Sequence, residues 1–277
     1  MSANEDIEAC LKYLSRNSTA PAVYHASQAG TPVEAIHDGA YEQQKVHVKN
    51  GRHHTTHFSI DQQGFQLLQH SSAVLDFYND QQLETIYNIE LENLLKKHIV
   101  GAKRIRIFDH TRRSSAASVR TETMSREPSS TIHNDYTERS AAQRLRDFFG
   151  TEAEDILSSG TRFAIVNVWK PLDIVQCWPL ALCDSTTLKD GDIVAVKRLS
   201  ANRVGEIQMA HYNPDHVWYY FPSMTSNEAI LFKTFDSNPN KCPITIHTSF
   251  PGIDEKAMTA ATLPPRRSIE TRAFVFY

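Results

Sequence analysis

The chain lacks any run of about 18 apolar residues, the length a membrane-spanning helix needs, so no span is expected. Its first 17 residues carry acids early and have no apolar stretch of the kind a secretory leader uses, which sets the expectation of a cytoplasmic protein. Cysteine is scarce: Cys10, Cys177, Cys183 and Cys242 form no CxxC pair and stand at no zinc spacing to a histidine. Reduced thiols are therefore expected, not a disulfide framework. An excess of one charge is also missing. With 29 Lys and Arg against 32 Asp and Glu, the formal charge of −3 leaves no electrostatic footprint for nucleic acid or an anionic membrane. There is no glycine-rich phosphate loop and no βαβ alternation, which excludes a dinucleotide fold. There is no GxSxG elbow, which leaves Ser-His-Asp hydrolysis without support. No heptad run demands a coiled-coil partner.

What is present fits one domain of 277 residues: a mixed, partly helical part over 1–100 and a β core over 101–277. Short strands are expected at 45–49 and 57–60. Asn79 and Asp80 look like a cap for a helix over 81–97, striped by Leu83, Ile86, Tyr87, Ile89, Leu91, Leu94 and Leu95. Residues 104–108 alternate as a strand, whereas 111–130 is rich in Ser, Thr and Arg without period and reads as a mobile loop or lid. Thr137 caps an expected helix over 138–149. Strands then recur at 162–170, 192–199, 206–211, 216–222, 228–235, 243–250 and 268–277, separated by Asp-, Asn-, Pro- and Gly-rich turns. The fold class is mainly β with flanking helices, of sandwich, jelly-roll or barrel type.

The sharpest local feature is His133-Asn134-Asp135. Residues i and i+2 of a strand share a face, so an imidazole and a carboxylate reach one point. With a second histidine they make the facial triad of non-haem iron(II) oxygenases, which leaves three coordination positions for a 2-oxo acid and dioxygen. HxD alone is weak, since a surface strand with an ion-paired carboxylate has the same pattern. The C-terminal end strengthens it. His247 closes an apolar strand, and after a Pro-, Gly- and Ala-containing connection Arg266, Ser268, Glu270 and Arg272 share one strand face. Arginine grips carboxylates with a planar fork. Arg266 suits the distal carboxylate of 2-oxoglutarate, and Arg272 suits either its metal-side carboxylate or a structural acid. Asn167 can touch the co-substrate or orient a ligand. His211 and His216 rival His247, but only His247 directly precedes the arginine strand. His110 reads as a satisfied structural histidine, and the segment Arg52-His53-His54-Thr55-Thr56-His57 as a solvated hairpin.

These segments, together with Ile107-Phe108-Asp109-His110-Thr111, Asn167-Val168-Trp169-Lys170-Pro171-Leu172, His216-Val217-Trp218-Tyr219-Tyr220-Phe221 and Pro265-Arg266-Arg267-Ser268, resemble the non-haem iron hydroxylase/desaturases of the AsaB and gibberellin-desaturase type, relatives of the cephamycin hydroxylase partner protein CmcJ. The resemblance covers roughly 100–277. It implies a double-stranded β-helix (a cupin-like jelly roll), Fe(II), 2-oxoglutarate and O2 as co-substrates, and hydroxylation or desaturation of a small natural-product (secondary-metabolite) substrate. A homo- or heterodimer is compatible with it. Lys170 stands where the family more often has arginine, and Arg267 where it often has an acid. Some relatives have lost the metal ligands and serve as non-catalytic partner subunits. This chain keeps His133, Asp135 and His247, which favours catalysis. Trp178, Trp218 and Tyr220 are the expected apolar wall, and residues 112–130 with the N-terminal helical part the expected lid.

Overall fold

Backbone hydrogen bonds gather the chain into two facing sheets. The computed structural model describes residues 5–18, 21–54, 58–201, 203–252 and 263–277. In chain order the elements are β1 (Ile7–Leu14), β2 (Val23–His25), β3 (Ile36–Asp38), β4 (Tyr41–Asn50) and β5 (Phe65–Gln69). A helical stretch follows, made of α1 (Asp80–Gln82), a π turn (Leu83–Tyr87) and α2 (Asn88–His98). Next come β6 (Arg104–Ser114), α3 (Ala117–Thr123), β7 (His133–Asn134), α4 (Glu138–Phe149), α5 (Thr151–Ser159), β8 (Phe163–Pro171), β9 (Leu180–Cys183), β10 (Ile193–Ser200) and β11 (Arg203–Ala210). The last strands are β12 (Trp218–Tyr220), β13 (Glu228–Asp236), β14 (His247–Ser249) and β15 (Arg267–Phe276). The large sheet runs β1-β4-β12-β9-β14-β7-β11-β10-β2-β3, and the small sheet β5-β13-β8-β15-β6.

The small sheet is buried on both faces, so β8 and β13 are buried at every residue instead of alternating. Its outer face packs under the π turn and α2, where Leu83, Tyr87, Leu91 and Leu95 meet Val166, Val168, Ile269, Ala273 and Val275. Each such fully buried aliphatic side chain contributes about 1.5–3 kcal/mol. Its inner face meets the large sheet, with Phe65, Trp169, Ile230 and Phe232 against Leu180, Leu182 and Phe221. Asn79 caps the helical stretch by accepting from the Gln82 amide at 3.1 Å. Thr137 caps α4 in a reciprocal pair with Ser140.

Several sequence expectations change here. Residues 111–130 are not an unstructured lid: β6 runs on to Ser114, α3 follows, and Arg113 pairs with Arg126 across a parallel bridge. Buried Arg120 organises this segment by donating to the carbonyls of Ser114, Ser115 and Pro32. Polar composition had disguised it, because here arginine satisfies backbone instead of facing water. The N-terminal part is not a helical lid either, since β1 and β4 belong to the large sheet and α2 covers the outer face of the small one. Of the strand expected at 57–60, His57 lies outside the described residues and Phe58 to Ile60 are not extended into a ladder. β1, β2, β3, β5, β9 and α5 went unrecognised in the sequence.

Candidate metal centre

His133 on β7 and His247 on β14 are direct cross-strand partners in the antiparallel ladder. That register alone brings the two rings within 4.3 Å, centroid to centroid. Each imidazole is oriented the same way. His133 Nδ1 donates to the carbonyl of Thr131 at 2.9 Å, and His247 Nδ1 to that of Thr245 at 2.9 Å. A carbonyl only accepts, so Nδ1 carries the proton in both rings and each Nε2 keeps its lone pair for a ligand. Asp135 Oδ1 lies 3.6 Å from His133 Nε2. One ligand atom from each of the three residues falls within 4.8 Å of the others.

The small sheet holds the carboxylate in place. Asn167 on β8 and Arg272 on β15 are themselves register partners. Asn167 Nδ2 and Arg272 Nε both donate to Asp135 Oδ2, at 2.8 and 2.9 Å, which leaves Oδ1 facing the histidines. Thr234 donates to Asn167 Oδ1 at 3.4 Å and so sets which end of the amide points at Asp135. Asn134, between the two ligands, turns to the opposite side and ties β7 to the carbonyls of Tyr136 and Thr234.

Electrostatics match this geometry. Burial, then the neighbouring His247, pushes His133 down to about 4, and burial also lowers His247, so both rings are neutral ligands near pH 7. Burial works to raise Asp135, but Arg272, the two histidines and the Asn167 hydrogen bond outweigh it and keep the carboxylate ionised. Arg272 is likewise opposed by burial but held charged by Asp135, Glu270 and Asp109. It also donates to Asp109, Thr111 and Glu270, so of its two expected roles the geometry favours the grip on structural acids.

Arg266 is different. It is 2% exposed, and its Nη1 donates to the Trp178 carbonyl and Ser249 Oγ at 2.7 and 2.8 Å. Its Nε and Nη2 are buried without a partner, and the Ser268 hydroxyl, which shares its strand face, is also unpaired. Burial, reinforced by Arg113, works against the Arg266 charge. Arg266 lines a small space with His133, His247, Trp169 and Ser249. A planar carboxylate there would satisfy both free donors at once. Ser268 was not singled out in the sequence as a site residue, although its period-2 spacing from Arg266 carried the signal.

The other candidates resolve as structure. His216 bridges Asp192 and the Tyr13 hydroxyl at 3.1 and 3.2 Å, and His211 donates to the Leu14 carbonyl. His110 is satisfied by Thr271 and Asn88. Arg52 forks onto Glu228, while Thr55 to His57 of its histidine-rich run lie outside the described residues. Trp218 and Tyr220 pack in a core with Tyr13, Val48 and Phe250, not on the site wall, and Trp178 offers Arg266 its carbonyl. Trp169, 5.5 Å from the Arg266 guanidinium, borders this small space.

His133, Asp135 and Arg272 also line a second cavity, of about 270 Å³, which Arg266 does not border. A larger groove of about 620 Å³, by α4 and α5, touches none of the three proposed ligands.

Comparison with known proteins decides the family. The family model described as "Oxidoreductase/YMDC permease-like domain" matches residues 11–276. The hydroxylase/desaturase CTB9 of Cercospora beticola is 29% identical, over 86% of this chain and 78% of its own. The alpha-ketoglutarate-dependent dioxygenase tstK of Talaromyces stipitatus is 30% identical, over 79% of this chain and 80% of its own. The chain belongs to this family of fungal hydroxylase/desaturases and 2-oxoglutarate-dependent dioxygenases. The solved "iron and alpha-ketoglutarate-dependent endoperoxidase NvfI" covers 98% of both chains with a TM-score of 0.82 at 21% identity, so the fold is the expected jelly roll. No helix among the described residues is long and apolar enough to cross a membrane.

Proposed function

We propose that this family member is an Fe(II)/2-oxoglutarate-dependent dioxygenase that hydroxylates or desaturates a small natural product, with His133, Asp135 and His247 as the metal ligands. The observation that carries this is the convergence of two Nε2 lone pairs and one carboxylate oxygen, fixed from behind by Thr131, Thr245, Asn167 and Arg272. Two neutral imidazoles and a carboxylate suit iron(II) and carry one negative charge between them. When bound, iron(II) with 2-oxoglutarate and dioxygen supplies the oxidising power for a C–H bond. The protein's own part is positional. Arg266, with Ser268 beside it, receives the distal carboxylate of 2-oxoglutarate, and Trp169 forms a dry floor under the guanidinium. Asn167, by donating to Asp135, orients one of the metal ligands.

We treat 1–277 as a single catalytic unit, since strands from the first hundred residues pair within both sheets. The four cysteines are free and three are buried, in keeping with a reducing compartment such as the cytoplasm.

The test is an anaerobic titration with iron(II) and then 2-oxoglutarate, following the weak visible charge-transfer band of the chelate. One iron per chain, a band, and loss of both in His247→Ala are expected. A folded chain that binds no iron would instead be a non-catalytic partner subunit of a related oxygenase.

A further inference from the structure

The cavity in front of His133 and Asp135 is lined by Arg113, Arg126, Arg144, Arg198, Arg203 and Arg272, against the carboxylates of Asp109, Asp135 and Glu206 only. All three acids are already engaged. Arg272 holds Asp109 and Asp135, while Thr137 and Arg139 hold Glu206. Arg144 and Arg203 share Asp147 at the rim. That leaves Arg113, Arg126 and Arg198 without a carboxylate partner among the described residues. Arg113 donates to the Glu127 carbonyl at 2.8 Å, and Arg198 lies over the Tyr24 ring at 5.9 Å.

The backbone forces these three cations together. Arg113 and Arg126 are bridge partners, and Arg198 sits on β10 in register with Tyr24 of β2. All are partly buried. Burial is the main effect that lowers both Arg126 and Arg198; Arg113 and Arg198 add to it at Arg126, and Arg272 at Arg198. Tyr24 lines the same wall. A fold gains nothing by assembling unpaired, half-desolvated cations, because each loses hydration and repels the others. Such an arrangement becomes favourable when an anion enters and accepts charge-assisted hydrogen bonds from several forks at once.

We infer that the substrate of this enzyme is an acid, and that Arg113, Arg126 and Arg198, with Tyr24, bind its ionised oxyanion group and so set which carbon faces the metal centre. The inference rests on the oxygenase reading of the triad. It is separate from the co-substrate site, because Arg266 and its free donors line the other, smaller space. Arg113 borders both spaces, whereas Arg126 and Arg198 border only the larger one. The test therefore uses those two.

The experiment is calorimetric titration of the iron(II)- and 2-oxoglutarate-loaded protein, without oxygen, with three probes: 1-naphthoate, the uncharged 1-naphthamide of the same shape, and inorganic phosphate. At least one anion is expected to bind at one per chain, about tenfold or more tighter than the amide. Naphthoate binding would assign a carboxylic acid, and phosphate binding alone a phosphate ester. The double variant Arg126→Gln/Arg198→Gln should lose that preference, keep the chelate band, and melt no lower than the native chain without anion, since it removes unpaired cations. A purely structural role for the pair would instead lower its melting temperature and leave anion preference intact. That result, equal binding of acid and amide, or no binding of either anion would overturn the inference. Absence of the chelate band in the native chain would sink the oxygenase reading itself, whatever the anions do.

Discussion

At the scale of single residues, the centre has its roles divided between the sheets, and each role has its own experimental signature. His133→Ala and His247→Ala remove ligands, so iron stoichiometry should fall from one per chain to near zero by metal analysis of the dialysed protein. Asn167→Ala removes only a hydrogen bond to Asp135 Oδ2. Iron affinity should drop about 10- to 100-fold while stoichiometry at saturation stays at one, since partners behind metal ligands commonly contribute that much. Unchanged affinity would mean that Arg272 alone orients the carboxylate. Arg266→Ala should leave iron in place and raise the 2-oxoglutarate concentration needed for the chelate band by at least about tenfold, given two lost charge-assisted hydrogen bonds. These assignments were readable early because strand periodicity links HxD and the arginine strand. Ligand orientation by Asn167 and a structural acid for Arg272 were each among the sequence expectations, but that both meet on Asp135 was not readable, since it depends on which strands of opposite sheets face each other.

At the scale of elements, α2 shows how the small sheet is supported. Leu91 is wholly buried against the outer face, and Leu91→Ala should cost about 2–5 kcal/mol in urea unfolding without altering the metal site directly. His110 pins the helix to the sheet, bonded to Asn88 of α2 and Thr271 of β15. Burial pulls its pKa from 6.5 to about 4, so the unfolded chain binds a proton that the folded chain refuses between those values. Stability should therefore be full above pH 6.5 and decline as pH falls toward 4, by on the order of 2–3 kcal/mol from this group. His110→Gln should flatten that slope in apo-protein melts. An unchanged slope would assign it to His37, His70 and His133, which burial also lowers to about 4. The sequence showed α2 and α4 well, because each has a cap and an apolar stripe. It hid β6 beyond Phe108, where Arg112 turns to the Phe77 carbonyl and Asp80, and Arg113 to the cavity and the Glu127 carbonyl.

At the scale of the whole molecule, the metal centre is a clasp between sheets: both histidines come from the large sheet, and the residues that restrain Asp135 come from the small one. Iron(II) with 2-oxoglutarate should then stabilise the entire fold, not one loop. At ligand concentrations about 100 times the dissociation constant the gain is about 2.7 kcal/mol, visible as a higher melting temperature that a chelator reverses. A melting temperature indifferent to both ligands would argue that the three residues bind no metal.

Local chemistry was enough for the sequence by itself to determine the class of the protein. Strand-like runs between turn residues marked most of the strands, capping residues marked the α2 and α4 helices, and the order HxD, His247, Arg266 to Arg272 marked the oxygenase centre. The tertiary structure decided what depends on register and facing. It paired His133 with His247, tied Arg272 to Asp135, withdrew Trp218 and Tyr220 into a core, and gathered Arg113, Arg126 and Arg198 into one wall. Those arginines stand up to 85 positions apart (113 to 198), and no local pattern in a chain reports a distance of that kind.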